Sequence, residues 1–401
     1  MKVLALNCGS STLKFKVFES HDDISPGKES RMAHGVVERI GGYGTHRFIV
    51  GNGECLQEPK IIPDHAEATR QVIGWLNALG IGLDAVGHRV VHGGHRFSGP
   101  ALIEDEVIDA IEDLIHQAPL HNEPSLMAIR AAREILGSSI PMVAVFDTAY
   151  HSKMPERASC YAISQEMAAK HLVKRYGFHG IAHRYMVERY AVITPVSSER
   201  IRLVTLQLGN GCSAAAVEDG HSIDTSMGFT PLEGLMMGTR SGDVDPHLPG
   251  FLAKHEETDI EEVEVLLNTK SGLLGVSGRS QDMRELLAAE KHGDTKAALA
   301  VEMFCYRARK QIGAYLAALG GADAVIFGGG IGENSPPVRA RICAGMEWCG
   351  LILDEAKNNR TIGTEGRISA AHAKIQAYVV PVDEEVIIAR DTIFCLGEFR
   401  K

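Results

Sequence analysis

The sequence predicts a mixed α/β protein built as two lobes of related architecture, and three observations carry that expectation. The chain has 401 residues, more than one ordinary hydrophobic core organises, so two domains are expected. Residues 3–19, VLALNCGSSTLKFKVFE, read as an apolar strand, a Gly/Ser turn and a second strand alternating at Leu13, Phe15 and Val17. In the second half of the chain, RLVTLQLGNGCSAAAVEDG (202–220) repeats that plan around a Gly-Asn-Gly turn.

Between and after the two hairpins, fully apolar runs alternate with amphipathic ones. AVGHRVV (85–91), PMVAVF (141–146), AVIFGG (324–329) and KIQAYVVPV (374–382) read as buried strands. Asp64 followed by Glu67 predicts a capping box ahead of a helix face of Val72, Ile73, Leu76 and Leu79. EDEVIDAIEDLI (104–115) places Val107, Ile108, Ile111, Leu114 and Ile115 on one helical face, and Pro124 suits the first turn of EPSLMAIRAAREIL. A long helix is expected over 299–319, stopping at Gly320 and Gly321.

Bulk properties narrow the function. Hydrophobic residues at 45% and charged residues at 23% describe a globular protein, and no apolar run approaches a membrane span. The formal charge of −10, without a Lys/Arg block, argues against nucleic acid or an anionic membrane as partner. Eight dispersed cysteines without a CxxC pair read as reduced thiols of a cytoplasmic protein.

Catalytic residues of open α/β sheets gather where strands end. Asn7, Arg89, Asp147 and Glu384 all sit at such ends beside Gly-rich turns. NCGSST (7–12), LGNGCS (208–213) and GGGIGENS (328–335) are three glycine loops able to hold phosphates through backbone N–H groups. None is a Walker A sequence, and GGGIGENS lacks the last glycine of a dinucleotide fingerprint, so a nucleotide with Mg²⁺ is favoured over NAD. His88, His92 and His95, and likewise His179 and His183, have metal-like spacing, but no cysteine or carboxylate completes a zinc tetrahedron. His179 stands out, in a Phe-His-Gly turn between a basic helix end (Lys174, Arg175) and a new helix. MGTRSGDVDP (237–246) is too rich in Gly and Pro for a helix or central strand, and holds Arg240 with Asp243 and Asp245 behind it.

Taken in order, LNCGSSTLKFKVF, HRVVHGG, FDTAYH, KRYGFHGIAHRY, LGNGCS, MGTRSGDVDP, QDMREL, GGIGEN and the terminal DEE resemble the acetate kinase family from residue 3 to 390. The resemblance implies the actin-like, sugar-kinase-like ATPase fold: two similar lobes with a nucleotide cleft between them, assembled as a homodimer. The implied lobes are residues 1–148 completed by 385–401, for acyl and phosphate groups, and 149–384, for nucleotide and dimerisation. The implied reaction is reversible phosphoryl transfer from ATP to acetate, giving acetyl phosphate and ADP, with propionate or another short acid as the alternative acceptor.

By position, the family pattern makes Asn7 and Glu384 the pair associated with Mg²⁺, for which Mn²⁺ can substitute, and Lys14 a contact to ATP. It makes Arg89 and Arg240 the carboxylate and transition-state arginines, Asp147 the catalytic acid and His179 the phosphoryl stabiliser. ATP is expected at Gln207, Leu208, Gly209, Asn210 and Gly211, at Asp282, Met283 and Arg284, and at Gly330, Ile331, Gly332, Glu333 and Asn334. Val91, Leu120, Phe178 and Pro231 match the pocket for the acyl methyl. Four departures stand out: Gln207 for the usual His, Ile181-Ala182 for Thr-Ser, His95 for Glu, and Val382-Asp383 for Thr-Asn before Glu384.

Overall fold

The computed structural model describes residues 1–20, 30–51, 53–56, 60–115, 119–195 and 201–399. The chain divides into two compact units, Met1–Ser152 with Asp383–Lys401, and Lys153–Val382. Asp383 and Glu384, placed by the sequence reading in the second lobe, thus belong to the first unit.

In the first unit, β1 (Lys2–Cys8) and β2 (Thr12–Glu19) form the predicted hairpin, with Asn7 opposite Lys14. Strands β3 (Ser30–Glu38), β4 (Gly42–Val50), β5 (Glu54–Leu56) and β6 (Lys60–Ile62) extend it on one side. On the other side lie β7 (Ala85–Val90), β8 (Ala101–Leu102) and β9 (Met142–Phe146). The sheet order is β5-β4-β3-β2-β1-β7-β9-β8, with β6 against β4. β7 and β9 continue parallel to β1, and β8 is antiparallel to β9. Parallel neighbours need crossovers, which the helices His65–Ala78 and Pro119–Leu136 provide.

Period-two alternation decides which face each residue takes. Leu4, Leu6, Leu13, Phe15, Val17, Val86 and Val90 share one core with Val72, Ile73 and Leu76 of the first crossover helix and Leu126 and Ile129 of the second. Asp64 caps the first helix as expected, accepting from the Glu67 N–H at 2.8 Å, whereas Leu79 is its C-cap and 45% exposed. The second helix begins at Pro119, earlier than expected, so Pro124 lies inside it at the cost of one backbone hydrogen bond. The opposite face of the sheet carries Asn7, Gly87 and Arg89, and the helix Glu384–Phe399 packs across it. Only glycine fits position 87: a Cβ there would lie 2.2 Å from Thr392 Oγ1 and 2.7 Å from Ile388 Cγ2.

The second unit is built on β10 (Arg202–Leu208), β11 (Cys212–Glu218), β12 (His221–Thr225), β13 (Ala324–Gly328), β14 (Gly366–Arg367) and β15 (Gln376–Val379). Their order is β12-β11-β10-β13-β15-β14, with β13 and β15 parallel to β10 and β14 antiparallel to β15. Without β4, β5 and β6, the first sheet has the same order and the same strand directions. The last strand is shorter than the apolar run 374–382: Val380 still donates to Phe327 O at 3.0 Å, and Pro381, lacking an N–H, ends the ladder. The long helix spans Thr295–Leu319, capped by Asp294 and stopped, as expected, by Gly320. A shorter helix, Gly180–Ile193, packs on β10 and β13.

Candidate functional site

Asn7, Arg89 and Asp147 share one face of the first sheet, at the ends of adjacent parallel strands. Arg89 sits one place before the end of the β7–β9 pairing, and Asp147 follows β9 directly. The Arg89 guanidinium is held from two sides. Nη2 and Nε donate to Asp147 Oδ2 at 2.6 and 3.2 Å, and Nη1 donates to Asn7 Oδ1 at 3.1 Å. Burial works against the Arg89 charge, but Asp147 and Glu384 outweigh it and the pKa is raised. Asp147 is fully buried, and its Oδ1 takes no hydrogen bond from the described residues.

The helix Glu384–Phe399 starts over this cluster. Asn7 Nδ2 donates to Glu384 Oε2 at 2.7 Å and to Glu385 Oε1 at 2.8 Å. Lys16 then bridges Asp383, at 2.5 Å, and Glu385 Oε2, at 3.3 Å. These contacts distinguish the two adjacent glutamates. Glu385 is buried and spends both oxygens on Asn7 and Lys16, whereas Glu384 keeps Oε1 clear of hydrogen bonds among the described residues. No three His, Cys, Asp or Glu side chains form a metal cluster among the described residues. One available carboxylate oxygen, with Asn7 orienting its carboxylate, fits a hard cation that takes its remaining ligands from water and phosphate.

In the second unit the loop 237–246 is irregular, as predicted, and its tightness has a structural cause. Met237 donates to Arg240 O at 3.1 Å, Gly238 donates to Asn210 O at 2.9 Å, and Asp243 Oδ1 accepts from Gly234 N at 2.7 Å. Gly242 has φ +67°, and a Cβ on it would lie 2.4–2.6 Å from the backbone of Gly234 and Leu235. Asp245 accepts from His247 N at 2.8 Å ahead of the helix Leu248–His255. Both aspartates therefore tie the loop down, and the LGNGCS turn is docked against it. Arg240 and His179 converge on that turn: a Cβ on Gly211 would lie 3.3 Å from His179 Nε2 and 3.7 Å from Arg240 Nη1. Burial lowers the Arg240 pKa, offset in part by Cys212, so its charge sits where an arriving anion is favoured. His179 is the N-cap of the helix Gly180–Ile193 and has φ +56°, a left-handed conformation that a non-glycine residue seldom adopts.

The other expected nucleotide residues fall into distinct settings. Gln207 is the penultimate residue of β10, with its Oε1 buried and without a hydrogen bond among the described residues, while Leu208, the last, is fully buried. Gly209, Asn210 and Gly211 form the turn, closed by Gly209 N–H to Gly211 O at 3.0 Å. GGIGEN is a short helix, Gly329–Asn334, rather than an open loop. It lies against that turn, with the Gly330 N atom 4.0 Å from where a Cβ on Gly209 would be. Glu333 uses Oε1 to accept from the N–H groups of Gly329 and Val382, both at 2.9 Å, and Asn334 donates to Gly330 O at 3.0 Å. Gly332 and Ile331 sit within the same helix. Asp282 caps the helix Met283–Lys291 and pairs with Arg284, while Met283 is buried.

Of the residues expected to meet the acyl group, Val91 is buried just beyond β7 in the first unit, and Phe178 is buried in the second. Pro231 O lies 3.4 Å from Arg240 Nη1. Leu120 is on the helix Pro119–Leu136, and its side chain lies outside the described residues. Lys14 is directly opposite Asn7 but exposed.

Lys174 and Arg175 do not end a helix, because the preceding one stops at Lys170. Arg175 instead donates to the carbonyls of Thr225, Ser226 and Met227 and pairs with Glu233 at 2.5 Å, pinning the end of β12. The histidines of GHRVVHGGHRF diverge. His88 is buried without a hydrogen bond among the described residues and its pKa is lowered by burial to about 3. His92 Nδ1 accepts from Gly94 N at 2.9 Å, and His95 is exposed. Lys16 is the neighbour of this site that the sequence reading does not single out. Lys16 shares the strand parity of Lys14, which is a readable signal, but the partner of Glu385 depends on packing across 378 residues of chain.

The match to known proteins covers nearly the whole chain. The acetokinase family model matches residues 2–390. The chain is 49% identical to the acetate kinase of Solibacter usitatus over 99% of each sequence. Among solved structures, the acetate kinase of Porphyromonas gingivalis is 42% identical with a TM-score of 0.88, covering 98% of this chain and 99% of its own. A propionate kinase from Francisella tularensis is 36% identical with a TM-score of 0.89, at the same coverage.

Proposed function

The chain belongs to the acetokinase family, and on that premise we propose that it catalyses reversible in-line phosphoryl transfer from ATP to acetate, giving acetyl phosphate and ADP. One observation carries this reading beyond family membership: two arginines are fixed beforehand by different means, Arg89 by Asp147 and Asn7, and Arg240 by a glycine-walled loop beside His179.

Acetate is ionised at neutral pH, so its attacking oxygen needs no general base. The obstacle is repulsion between an anion and a polyanion, and fixed guanidiniums counter it because each offers a planar fork to carboxylate or phosphoryl oxygens. Arg89 binds the acetate carboxylate in this scheme. Arg240 and the Nε2 edge of His179 meet the oxygens of the transferring phosphoryl group, where charge spreads in the transition state. Asp147 holds Arg89 in orientation and moves no proton. The backbone of 207–211 and the packed helix 329–334 receive the nucleotide, and Lys14 and Asp282 to Arg284 are the further ATP contacts that the family pattern assigns. Glu384, oriented by Asn7, would hold Mg²⁺, or Mn²⁺ in its place, which when bound would supply neutralisation of phosphate charge. Val91 and Phe178 limit the acyl chain. Cytoplasmic location and homodimeric assembly belong to the same proposal, on family grounds and on the free thiols.

Formation of acyl phosphate, trapped as the hydroxamate, tests the reading with acetate, propionate and butyrate and MgATP. Acetate is expected to have the highest kcat/KM, with about 10–200-fold discrimination for one methylene. A higher value for propionate would transfer the assignment to the acceptor named in the Francisella tularensis structure, and no acyl phosphate from any acid would end it.

A further inference from the structure

His179 and His183 stand four residues apart, one turn of helix, and the spacing that suggested a metal pair serves a different purpose. Both imidazoles meet one hydroxyl: Ser213 Oγ lies 2.9 Å from His179 Nδ1 and 2.8 Å from His183 Nε2. The far nitrogen of His183, Nδ1, lies 2.7 Å from Thr205 Oγ1. Thr205, His183 and Ser213 are all fully buried. Four side chains on three elements thus form one chain of hydrogen bonds, running from the middle of β10 through the helix Gly180–Ile193 and β11 to the imidazole beside Arg240.

We propose that Thr205, His183 and Ser213 are positioning residues that fix His179 as the neutral imidazole with its proton on Nε2. The direction of the chain is decided at its buried end. Among the described residues the Thr205 hydroxyl has His183 Nδ1 as its one partner. A buried hydroxyl proton without an acceptor is costly, so Thr205 donates and His183 Nδ1 accepts. His183 therefore carries its proton on Nε2 and donates to Ser213 Oγ. Ser213, with one proton to give, donates it to His179 Nδ1. The only ring proton of His179 is then on Nε2, the edge that faces Gly211. Reversing the chain would put a proton on His179 Nδ1 only by stranding the Thr205 hydroxyl proton. Nε2 is thereby held as a hydrogen-bond donor, the form a phosphoryl oxygen requires.

The inference deepens the proposed role of His179 and rests on it for its consequence, but the tautomers are measurable by themselves. Ring ¹⁵N shifts of the full-length, ¹⁵N-histidine-labelled protein near neutral pH are expected to show Nδ1 unprotonated and Nε2 protonated in both His179 and His183. Ser213→Ala should move the His179 signals toward the average of two tautomers. The same variant should lower kcat about tenfold or more while leaving KM for acetate and ATP nearly unchanged. Thr205→Ser, which keeps the hydroxyl, should preserve both the shifts and the turnover. A proton on Nδ1 of either ring in the wild-type spectrum would overturn the proposal, as would unchanged His179 shifts and turnover in Ser213→Ala. Full turnover in His179→Ala, with the predicted tautomers found in the wild-type spectrum, would instead overturn the catalytic reading and leave the hydrogen-bond chain standing.

Discussion

Arg89 and Arg240 carry the same charge in opposite surroundings, and substitutions at the two are expected to fail differently. Arg240 has its pKa lowered by burial and is shaped by glycines. Arg240→Ala should leave the fold intact and, if the proposed phosphoryl-stabilising role holds, lower kcat by roughly 10³-fold or more; hydroxamate trapping reads the change. Arg89 is one half of a buried ion pair with Asp147. Asp147→Ala strands the guanidinium and should cost about 3–5 kcal/mol of stability in urea unfolding. Asp147→Asn should slow turnover without removing a limb from the pH–rate profile, because in the proposed mechanism the carboxylate orients Arg89 and transfers no proton. The thiols offer a residue-scale check on burial. Cys8, Cys212, Cys305 and Cys343 have pKa values pushed up by burial to about 12, so their thiolate is nearly absent at pH 8. Among the described cysteines, exposed Cys160 should react first with a thiol reagent, and those four only on unfolding.

At the scale of the element, the two hairpins were legible because a two-residue period is local: Leu13, Phe15 and Val17 had to share a face whatever else the chain did. Helix boundaries were less so. The helix Pro119–Leu136 begins before any apolar period is visible, and GGIGEN becomes a short helix because Glu333 closes back onto Gly329 N–H. The loop 237–246 was recognisable as a loop from Gly and Pro alone, whereas its docking on the LGNGCS turn was not. Its stiffness makes a prediction. In Gly242→Ala the new Cβ meets both a left-handed φ and backbone atoms closer than 3 Å. The expected result is a loss of about 1–3 kcal/mol in thermal or urea unfolding, together with a fall in kcat larger than the change in KM. Unchanged kcat in a folded Gly242→Ala protein would separate the loop from catalysis.

On the molecular scale, one sheet order is used twice and filled with opposite chemistry. The strand ends of the first unit carry Asn7, Arg89 and Asp147; the corresponding ends of the second carry Gln207 and glycines. The helix Gly180–Ile193 follows the last strand of the first sheet in the chain but packs on the second, and the helix Glu384–Phe399 follows the last strand of the second but packs on the first. After β9 and two short α-helices, Glu156–Ser159 and Gln165–Lys170, comes Gly180–Ile193, which packs on β10; after β15 comes Glu384–Phe399, which packs on β1 and β7. The first unit is therefore completed by the last segment of the sequence. A chain ending at Val382 loses the buried Val386, Ile387, Ile388, Ala389 and Leu396. Each large aliphatic side chain contributes about 1.5–3 kcal/mol on burial, and their sum is comparable to the ~5–15 kcal/mol stability of a domain. That truncation should leave the first unit without a cooperative unfolding transition by circular dichroism.

By itself the sequence determined the α/β class, the duplicated hairpins, the helix caps at Asp64 and Gly320, and the residue types gathered at strand ends, because all of these depend on neighbours a few residues apart. Tertiary structure alone decided that Asn7 binds two glutamates from the far end of the chain, that Lys16 anchors one of them, and that His183, Ser213 and Thr205 stand behind His179. Such partners are chosen by which faces pack and in which register. Those choices are fixed only when the apolar sides of distant segments are buried together, a condition no local pattern contains.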